Sequence, residues 1–258
     1  MCKNRRNFQN NLRKDIYNRS MAGYKNVFKR VEKKYKLTRQ QYDKLMPLLE
    51  QHMKIDDYGK TTICNIYFDT DDFRIIRSSI EKPAYKEKLR LRSYNVPESD
   101  SRVFVEIKKK VNGVVHKRRI AMTYNEAVEF LVERKHDENS QIAAEINYFL
   151  DFYGAKPKVA LFYDRIAMFG KDDPELRVTI DSNLKWRTDD IDLRLGSHGN
   201  YIVDESFCIM EIKISDAMPM WLSSILSECG VYQTSFSKYG TTYTKNLYKN
   251  CLKGNYYA

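Results

Sequence analysis

The sequence contains no apolar run near the roughly 20 residues that a membrane-spanning helix needs, and its N-terminus lacks the apolar core of a signal peptide. Zinc and disulfide patterns are missing as well, because the five cysteines are scattered, odd in number and without a C-x-x-C pair. The four histidines, His52, His116, His136 and His198, lack the spacing of metal ligands. We therefore expect a soluble cytoplasmic protein with reduced thiols, in which any membrane association comes through a membrane-protein partner.

The composition indicates a globular chain with an anionic partner. Of 258 residues, 42% are hydrophobic, which is enough for the core of one large domain or two small ones. The 45 Lys and Arg residues against 34 Asp and Glu give a net charge of +11. This excess favours nucleic acid, anionic lipid or phosphate-rich small molecules as partners. Residues 1–25 are polar and basic, and we interpret them as a frayed or weakly helical leader.

The stretch 86–94 concentrates positive charge on one face of a predicted β-strand. Side chains alternate between the two faces of a strand, so Lys86, Lys88, Arg90 and Arg92 share a face while leucines take the other. Four cations at this spacing repel one another. Such a face either meets open water or contacts something polyanionic.

Other predicted strands repeat this design, with one apolar face and one face of Lys or Arg mixed with an occasional Glu or Asp. An Asn-Gly pair at 112–113 predicts a hairpin between two of them. The predicted strands span residues 27–35, 62–69, 86–94, 103–110, 114–120, 158–169, 175–181 and 207–214.

Amphipathic helices separate groups of these strands. Capping boxes open two of them, at Thr38 and Thr123, because Gln or Glu follows three residues later. A third helix begins after Ser140 and ends at Gly154, and a fourth begins near Met218. Each helix has an apolar face that can cover a sheet.

We expect the charged strand faces to point inward. An ordinary antiparallel sheet would turn them to water, and for any single strand that alternative is favoured. The set is mainly cationic, however, whereas a solubilising surface usually mixes both signs. The helices can cover the apolar faces, and a large sheet removes its edges by curling into a barrel. A bore lined by about a dozen cations is stable only as a wet tunnel around polyphosphate, whose phosphates suit guanidinium and ammonium groups.

Eight short charged segments follow one another along the chain. They are Arg30-x-Glu32-x-Lys34-Tyr35, Lys88-x-Arg90-x-Arg92, Glu106-x-Lys108, Lys117-x-Arg119, Tyr163-x-Arg165, residues 177–181, Glu211-x-Lys213 and Ser237-Lys238-Tyr239. In this order they resemble the VTC domain, which is the polyphosphate polymerase branch of the triphosphate tunnel metalloenzymes. The resemblance runs from about residue 26 to 240.

The resemblance implies an α+β fold over residues 26–258. An antiparallel eight-stranded β tunnel barrel with a charged lumen would be flanked by the amphipathic helices. The implied activity is transfer of the γ-phosphoryl group of ATP onto a growing inorganic polyphosphate chain. The implied cofactor is Mn²⁺ or Mg²⁺, and no nucleic-acid partner is expected.

The resemblance also assigns roles to residues at matching positions. Phosphates at the reaction centre would be held by Arg90, Arg92, Lys108, Arg165, Arg177 and Lys238. Further substrate phosphates would be bound by Lys34, Lys88, Lys117, Arg119, Tyr163, Lys213 and Ser237. The principal metal ligand would be Glu211, with Glu32 and Glu106 as further candidates.

One position separates the branches of this superfamily. The hydrolase and cyclase branch opens with Glu-x-Glu-x-Lys, whereas here Arg30 stands first and leaves Glu32 alone. This departure favours the polymerase branch, and it favours contact with a neighbouring Lys or Arg over metal ligation for Glu32. A tripolyphosphate or nucleoside-triphosphate hydrolase on the same fold and a non-catalytic polyphosphate-binding module remain alternatives. Nucleic-acid binding ranks lower because the cations alternate with apolar residues along strands.

Overall fold

The protein is described here by a computed structural model that covers residues 31–135, 140–215 and 217–248. Its described strands form one sheet, in which every pair of neighbours is antiparallel. The strands are β1 (Val31–Leu37), β2 (Met53–Asp69), β3 (Tyr85–Tyr94), β4 (Arg102–Val111), β5 (Val114–Thr123), β6 (Lys156–Gly170), β7 (Arg177–Arg187), β8 (Asn200–Tyr201), β9 (Cys208–Ile214) and β10 (Gln233–Thr234). Their order is β10-β1-β9-β7-β6-β2-β3-β4-β5, with β8 paired to β7.

Six α-helices accompany the sheet in the described ranges. They are α1 (Arg39–His52), α2 (Arg74–Ile80), α3 (Tyr124–Val128), α4 (Gln141–Tyr153), α5 (Met220–Glu228) and α6 (Lys238–Thr242). The capping boxes at Thr38 and Thr123 are confirmed, because each hydroxyl accepts from the backbone three residues on and the Gln or Glu side chain accepts in return. None of the helices in this part of the chain is both long and apolar enough to span a bilayer.

The hairpin between β4 and β5 confirms the Asn-Gly prediction. Val111 pairs with Val114, and the two residues between them have φ values of 46° for Asn112 and 89° for Gly113. Two positive φ angles match the turn that suits the twist of a two-residue hairpin, and Gly113 adopts its angle without steric cost. The turn fixes the β4–β5 register, which places Glu106 opposite Arg119, while the separate β3–β4 register places Arg90 on the other side of Glu106.

Apolar side chains cover the outer face of the sheet, as expected from the alternation. The helices α3 and α4 pack over β2 to β5, where Val105 and Phe149 are fully buried. The helices α1 and α5 pack over β1, β7 and β9, where Leu45 and Ile212 are fully buried. Removal of these surfaces from water is the main favourable contribution to folding.

Part of the inner face is apolar too, which the charge pattern did not predict. Strand alternation places Ile63, Leu161 and Ile209 on the inner face of β2, β6 and β9. The short helices α2 and α6 pack onto this region through Ile76 and Tyr239. The charged faces therefore line only part of the sheet's inner surface, and a third hydrophobic cluster occupies the rest.

The sheet curls strongly around its inner face. Lys34 on β1 and Lys117 on β5 lie near opposite ends of the strand order, yet they line the same cavity. Among the described residues, eight strands have at least seven residues, but β5 forms no ladder with β1 or β10. The antiparallel α+β architecture is confirmed, whereas closure into an eight-stranded barrel stays a prediction.

Several boundaries differ from the predictions. β2 begins at Met53 because a bulge between Ile55 and Lys60 lets the strand continue through polar residues that lack alternation. β7 extends to Arg187, six residues beyond the predicted strand end at 181. The helix α2 was not predicted. The leader at 1–25 and the first four residues of the predicted strand 27–35, among them Arg30, lie outside the described residues.

Candidate active site

A cavity of about 250 Å³ on the inner face brings most of the predicted site residues together. Of the sixteen candidates, fourteen line it, although they come from seven different segments of the chain. They are Glu32, Lys34, Lys88, Arg90, Arg92, Glu106, Lys108, Lys117, Tyr163, Arg165, Glu211, Lys213, Ser237 and Lys238. We call this space the basic cavity.

The basic cavity carries a large excess of positive charge. Nine Lys or Arg side chains line it, against three Glu side chains. Cations that face each other across a partly dehydrated space repel more strongly than at an open surface. The charge distribution therefore favours an anion with several negative charges.

Arg165 and Lys238 share a fully buried carboxylate. Asp181 lies opposite Arg165 in the β6–β7 register and accepts hydrogen bonds from its Nε at 2.6 Å and its Nη2 at 2.8 Å. Lys238 Nζ lies 2.5 Å from the second Asp181 oxygen. Burial raises the pKa of Asp181, but Lys238 and Arg165 lower it by more than burial raises it. The carboxylate therefore stays charged. One negative charge thus orients two cations and leaves one unit of positive charge.

Glu106 forms a second buried cluster on β4. Arg90 Nε donates to it at 2.8 Å, and Lys117 Nζ lies 2.5 Å from its other oxygen. Burial raises the pKa of Glu106, but Arg90 and Arg92 outweigh burial and bring it to about 2. Because its oxygens already contact Arg90 and Lys117, Glu106 is better suited to orienting cations than to binding a metal.

Arg92 has a different environment from the other two arginines of the basic cavity. Its Nε donates to Asn65 Oδ1 at 2.9 Å, and its Nη2 donates to the Tyr163 hydroxyl at 3.0 Å. The nearest carboxylate oxygen, of Glu106, lies 3.9 Å from Nε. Neutral groups therefore hold Arg92, whereas carboxylates hold Arg90 and Arg165.

Glu211 is the cavity carboxylate with the longest contacts to cations. Its Oε1 lies 3.4 Å from Lys34 Nζ and 3.6 Å from Lys238 Nζ. Burial raises its pKa, but Lys238 and Lys34 lower it to about 2, so Glu211 is charged at neutral pH. Lys34 also lies 3.2 Å from Glu32, so its ammonium bridges the two carboxylates. Glu32 thus lies beside a lysine, and its predicted role stays a prediction.

The basic cavity contains carboxylate oxygens that suit a divalent metal ion. Among the described residues, no group of three His, Cys, Asp or Glu side chains could hold a metal ion. Glu211, with Glu32 nearby, supplies the one or two carboxylates with which Mg²⁺ and Mn²⁺ are typically bound when substrate phosphates complete the coordination. The residues present therefore fit a divalent ion that arrives with phosphate.

Two predicted residues lie outside the basic cavity. Arg177 is exposed and stacks over Phe169 with its guanidinium carbon 5.7 Å from the ring centre. Arg119 is exposed and stacks over Phe104 at 4.6 Å. Strand alternation gives each the correct face, but neither lines the cavity. Their predicted phosphate contacts stay predictions.

A wider cavity of about 620 Å³ adjoins the basic cavity and shares Glu32, Lys88, Lys108 and Ser237 with it. We call it the vestibule. Apolar side chains, among them Ile76, Ile80 and Val115, form part of its wall. The remaining cations are all lysines, and hydroxyl groups come from α2, from α6 and from the helical turn that follows α6. These residues are Lys82, Lys86, Lys110, Ser79, Thr241 and Thr244. The vestibule therefore extends the basic cavity with a lining that is partly cationic.

Sequence analysis missed several residues of the basic cavity because they carry no positive charge. Tyr67 accepts a hydrogen bond from Arg90 Nη1 at 3.0 Å and stacks on Tyr239 with ring centres 4.8 Å apart. Phe236 also lines the cavity. Asn65 does not line it but accepts a hydrogen bond from Arg92, which does. The alternation of Asn65 and Tyr67 on β2 was the available signal, but a polar residue on a strand does not by itself indicate a site.

The sequence matches the family model of the VTC domain over residues 29–246, which is most of the chain and includes the whole described sheet. The chain belongs to the VTC domain family. This domain has the fold of the triphosphate tunnel metalloenzymes, a group that generally uses divalent metals. The family match confirms the resemblance on which the site residues were chosen. No curated protein matches the sequence.

Solved structures support the fold of this VTC domain. A proposed adenylate cyclase from Bacillus halodurans is 14% identical, with a TM-score of 0.54 over 80% of this chain and 92% of its own. A proposed adenylyl cyclase from Hippeastrum, described as having a dominant triphosphatase activity, is 15% identical, with a TM-score of 0.52 over 83% of this chain and 95% of its own. At these identities the similarity shows a shared fold.

Proposed function

We propose that this VTC domain protein is a polyphosphate polymerase that transfers the γ-phosphoryl group of ATP onto a growing inorganic polyphosphate chain. The observation that carries the proposal is the basic cavity, where nine cations face three carboxylates and a lysine-lined vestibule continues outward. A cavity with this charge suits a substrate and a product that are both chains of phosphates. A cytoplasmic location with ATP as donor, and membrane association only through a partner, belong to the same proposal.

The proposed reaction requires little covalent participation by the protein. The attacking group is a terminal phosphate of polyphosphate, which is already ionised at neutral pH, so no general base is needed. Arg90 and Arg165 are held rigidly by buried carboxylates, and their remaining N–H groups are free to orient phosphate oxygens in line. Lys34, Lys88 and Lys238 add charge around the transferred group and stabilise the charge that spreads over its oxygens.

The proposal includes Mn²⁺ or Mg²⁺ at Glu211, with Glu32 as a further candidate. When bound, a divalent ion neutralises phosphate charge and favours departure of ADP. The protein's own contribution at this site is a carboxylate whose contacts to Lys34 and Lys238 are long enough to be exchanged.

The decisive experiment incubates purified protein with ATP and Mn²⁺ and sizes the products on a gel. We expect polymer in the wild type and none in Arg90→Ala or Arg165→Ala, with unchanged circular dichroism in both. Arg39→Ala is the matched control, because Arg39 lies on the outside of α1 in a pair with Asp43. Polymer formation by either cavity variant at the wild-type rate would refute the assignment.

A hydrolase is the second candidate, and the triphosphatase activity described for the Hippeastrum neighbour favours testing it. The same incubation separates the two, since a hydrolase releases free phosphate without chain growth. A non-catalytic polyphosphate-binding module is the third candidate, and it predicts tight polyanion binding with no metal-dependent turnover.

A further inference from the structure

Three arginines of the basic cavity are each held by the residue directly opposite on a neighbouring strand. Arg165 faces Asp181, and Arg90 faces Glu106. Arg92 faces Asn65 in the β2–β3 register. The first two arginines form ion pairs with a carboxylate, whereas the third is oriented by an uncharged carboxamide.

Hydrogen bonds from both ends of its carboxamide hold the Asn65 side chain in place. It is 1% exposed, and its Nδ2 donates to the carbonyl oxygen of Leu161 on β6 at 3.2 Å. This bond orients the amide so that Oδ1 points to Arg92 Nε at 2.9 Å. The carboxamide has both a donor and an acceptor, so it satisfies the backbone of β6 and the guanidinium of β3 together.

The neutral contact leaves Arg92 with its full charge inside the fold. Arg92 is 6% exposed, and the hydroxyl of Tyr163, its other hydrogen-bond partner, is also neutral. Burying a cation whose nearest carboxylate oxygen, of Glu106, lies 3.9 Å away is costly, and an anionic ligand offsets that cost when it binds. A guanidinium that has no carboxylate within hydrogen-bond distance also attracts phosphate more strongly than one already paired with a carboxylate.

We propose that Asn65 is a positioning residue that orients Arg92 without neutralising it, which makes Arg92 the strongest phosphate anchor of the basic cavity. The inference deepens the proposed function and rests on the cavity binding phosphate chains. It goes further by assigning a role to an uncharged residue that does not touch the substrate.

The test compares Asn65→Asp with Asn95→Asp in the full chain. Both substitutions add one negative charge, but Asn95 is exposed at the end of β3, outside the basic cavity. Binding of inorganic tripolyphosphate is measured by calorimetry at several salt concentrations. We expect Asn65→Asp to weaken binding roughly 10- to 100-fold and to reduce its salt dependence, because a carboxylate then neutralises Arg92. Asn95→Asp should bind within about twofold of the wild type.

Asn65→Ala separates orientation from packing, since it releases Arg92 but leaves its charge. We expect weaker binding than the wild type with an unchanged salt dependence, and a lower kcat in any turnover assay. Equal affinity in Asn65→Asp and Asn95→Asp would overturn the proposal. If Asn65→Asp does not fold by circular dichroism, wild-type affinity in Asn65→Ala would overturn it independently. Tripolyphosphate binding without polymer formation by the wild type would refute the polymerase function while leaving this inference intact.

Discussion

Some side chains of the basic cavity are held in position by a buried carboxylate, whereas others have pKa values close to neutral pH. Arg165 and Lys238 share the fully buried Asp181, so their positions are set before any substrate binds. Lys88 has like-charged neighbours, and burial lowers its pKa to about 8. Burial raises the pKa of Tyr67, but Arg90, Arg92 and Lys88 outweigh burial and bring it to about 8. These two groups therefore make the cavity's charge depend on pH just above neutrality.

The first prediction concerns this pH dependence. As pH rises through about 8, Lys88 loses a positive charge and Tyr67 gains a negative one, so tripolyphosphate affinity should fall roughly tenfold or more between pH 7 and 9. Calorimetry across this range measures the fall. Tyr67→Phe removes one of the titrating groups and should flatten the curve, and an affinity that stays constant to pH 9.5 would contradict the prediction.

Lys88 and Tyr67 should also make the free energy of unfolding rise with pH, over the range in which tripolyphosphate affinity falls. Both folded-state pKa values, about 8, lie below the ordinary values of 10.5 for Lys and 10.0 for Tyr. The unfolded chain therefore binds more protons between pH 8 and 10, and their contribution to the free energy of unfolding rises with pH in this window. Urea denaturation without ligand should show this rise in the wild type and a smaller one in Tyr67→Phe.

The second prediction concerns the candidate metal ligand. Glu211→Gln should weaken Mn²⁺ binding in the presence of tripolyphosphate by roughly tenfold or more, because a charged ligand becomes a neutral one. Metal-free tripolyphosphate binding should be retained or tightened, since the basic cavity loses a negative charge. Electron paramagnetic resonance of free Mn²⁺ measures the first effect. Glu32→Gln is the comparison, and a larger effect there than in Glu211→Gln would reverse the assignment of the principal ligand.

Among the elements of the fold, α2 depends on a residue that precedes it by several positions. Asp69 ends β2, is fully buried, and accepts hydrogen bonds from the backbone N–H groups of Thr70, Ile75 and Ile76. Its Oδ2 also accepts from the Tyr239 hydroxyl at 2.8 Å, which joins α2 to α6. One carboxylate thus holds both short helices over the inner hydrophobic cluster and beside the vestibule.

The third prediction follows from this arrangement. Asp69→Ala should lower the free energy of unfolding by about 3 kcal/mol, because it leaves several buried donors without an acceptor. Tyr239→Phe removes only one of the hydrogen bonds that Asp69 accepts and should cost about 1–2 kcal/mol. Urea denaturation measures both, and equal losses in the two variants would show that Asp69 does not organise α2.

At the scale of the whole molecule, the described sheet curls until its two ends face the same cavity but do not pair. Repulsion across the basic cavity opposes this curling, while the outer hydrophobic clusters and the helices favour it. A bound polyanion would remove the repulsion, so ligand binding and the stability of the fold should be coupled.

The fourth prediction is a thermal shift that depends on the length of the phosphate chain. At equal ligand concentrations the melting temperature should rise in the order phosphate, tripolyphosphate, polyphosphate, and a ligand at 100 times its Kd should raise it by roughly 5–10 °C. High salt should reduce the shift, because it screens the charges. Chloride at matched ionic strength is the control, and a flat response to all three phosphates would argue against a phosphate-binding cavity.

The sequence by itself determined the features that depend on interactions between residues close together in the chain. Alternation separated the charged and apolar faces, Asn112-Gly113 fixed a hairpin, and the two capping boxes fixed helix starts, because each depends on residues only a few positions apart. The family pattern supplied sixteen candidate residues, and fourteen of them line the basic cavity.

Only the tertiary structure decided which arginines of the basic cavity contact a carboxylate directly. Arg90, Arg92 and Arg165 look alike in sequence, but register places Glu106, Asn65 and Asp181 opposite them. These partners are 16, 27 and 16 positions away along the chain. Likewise, Arg177 and Arg119 have the expected strand face yet lie beyond the cavity, because the curl of the sheet determines where the lining ends. Contacts across strands arise only when the whole sheet is assembled, and no short stretch of sequence encodes them.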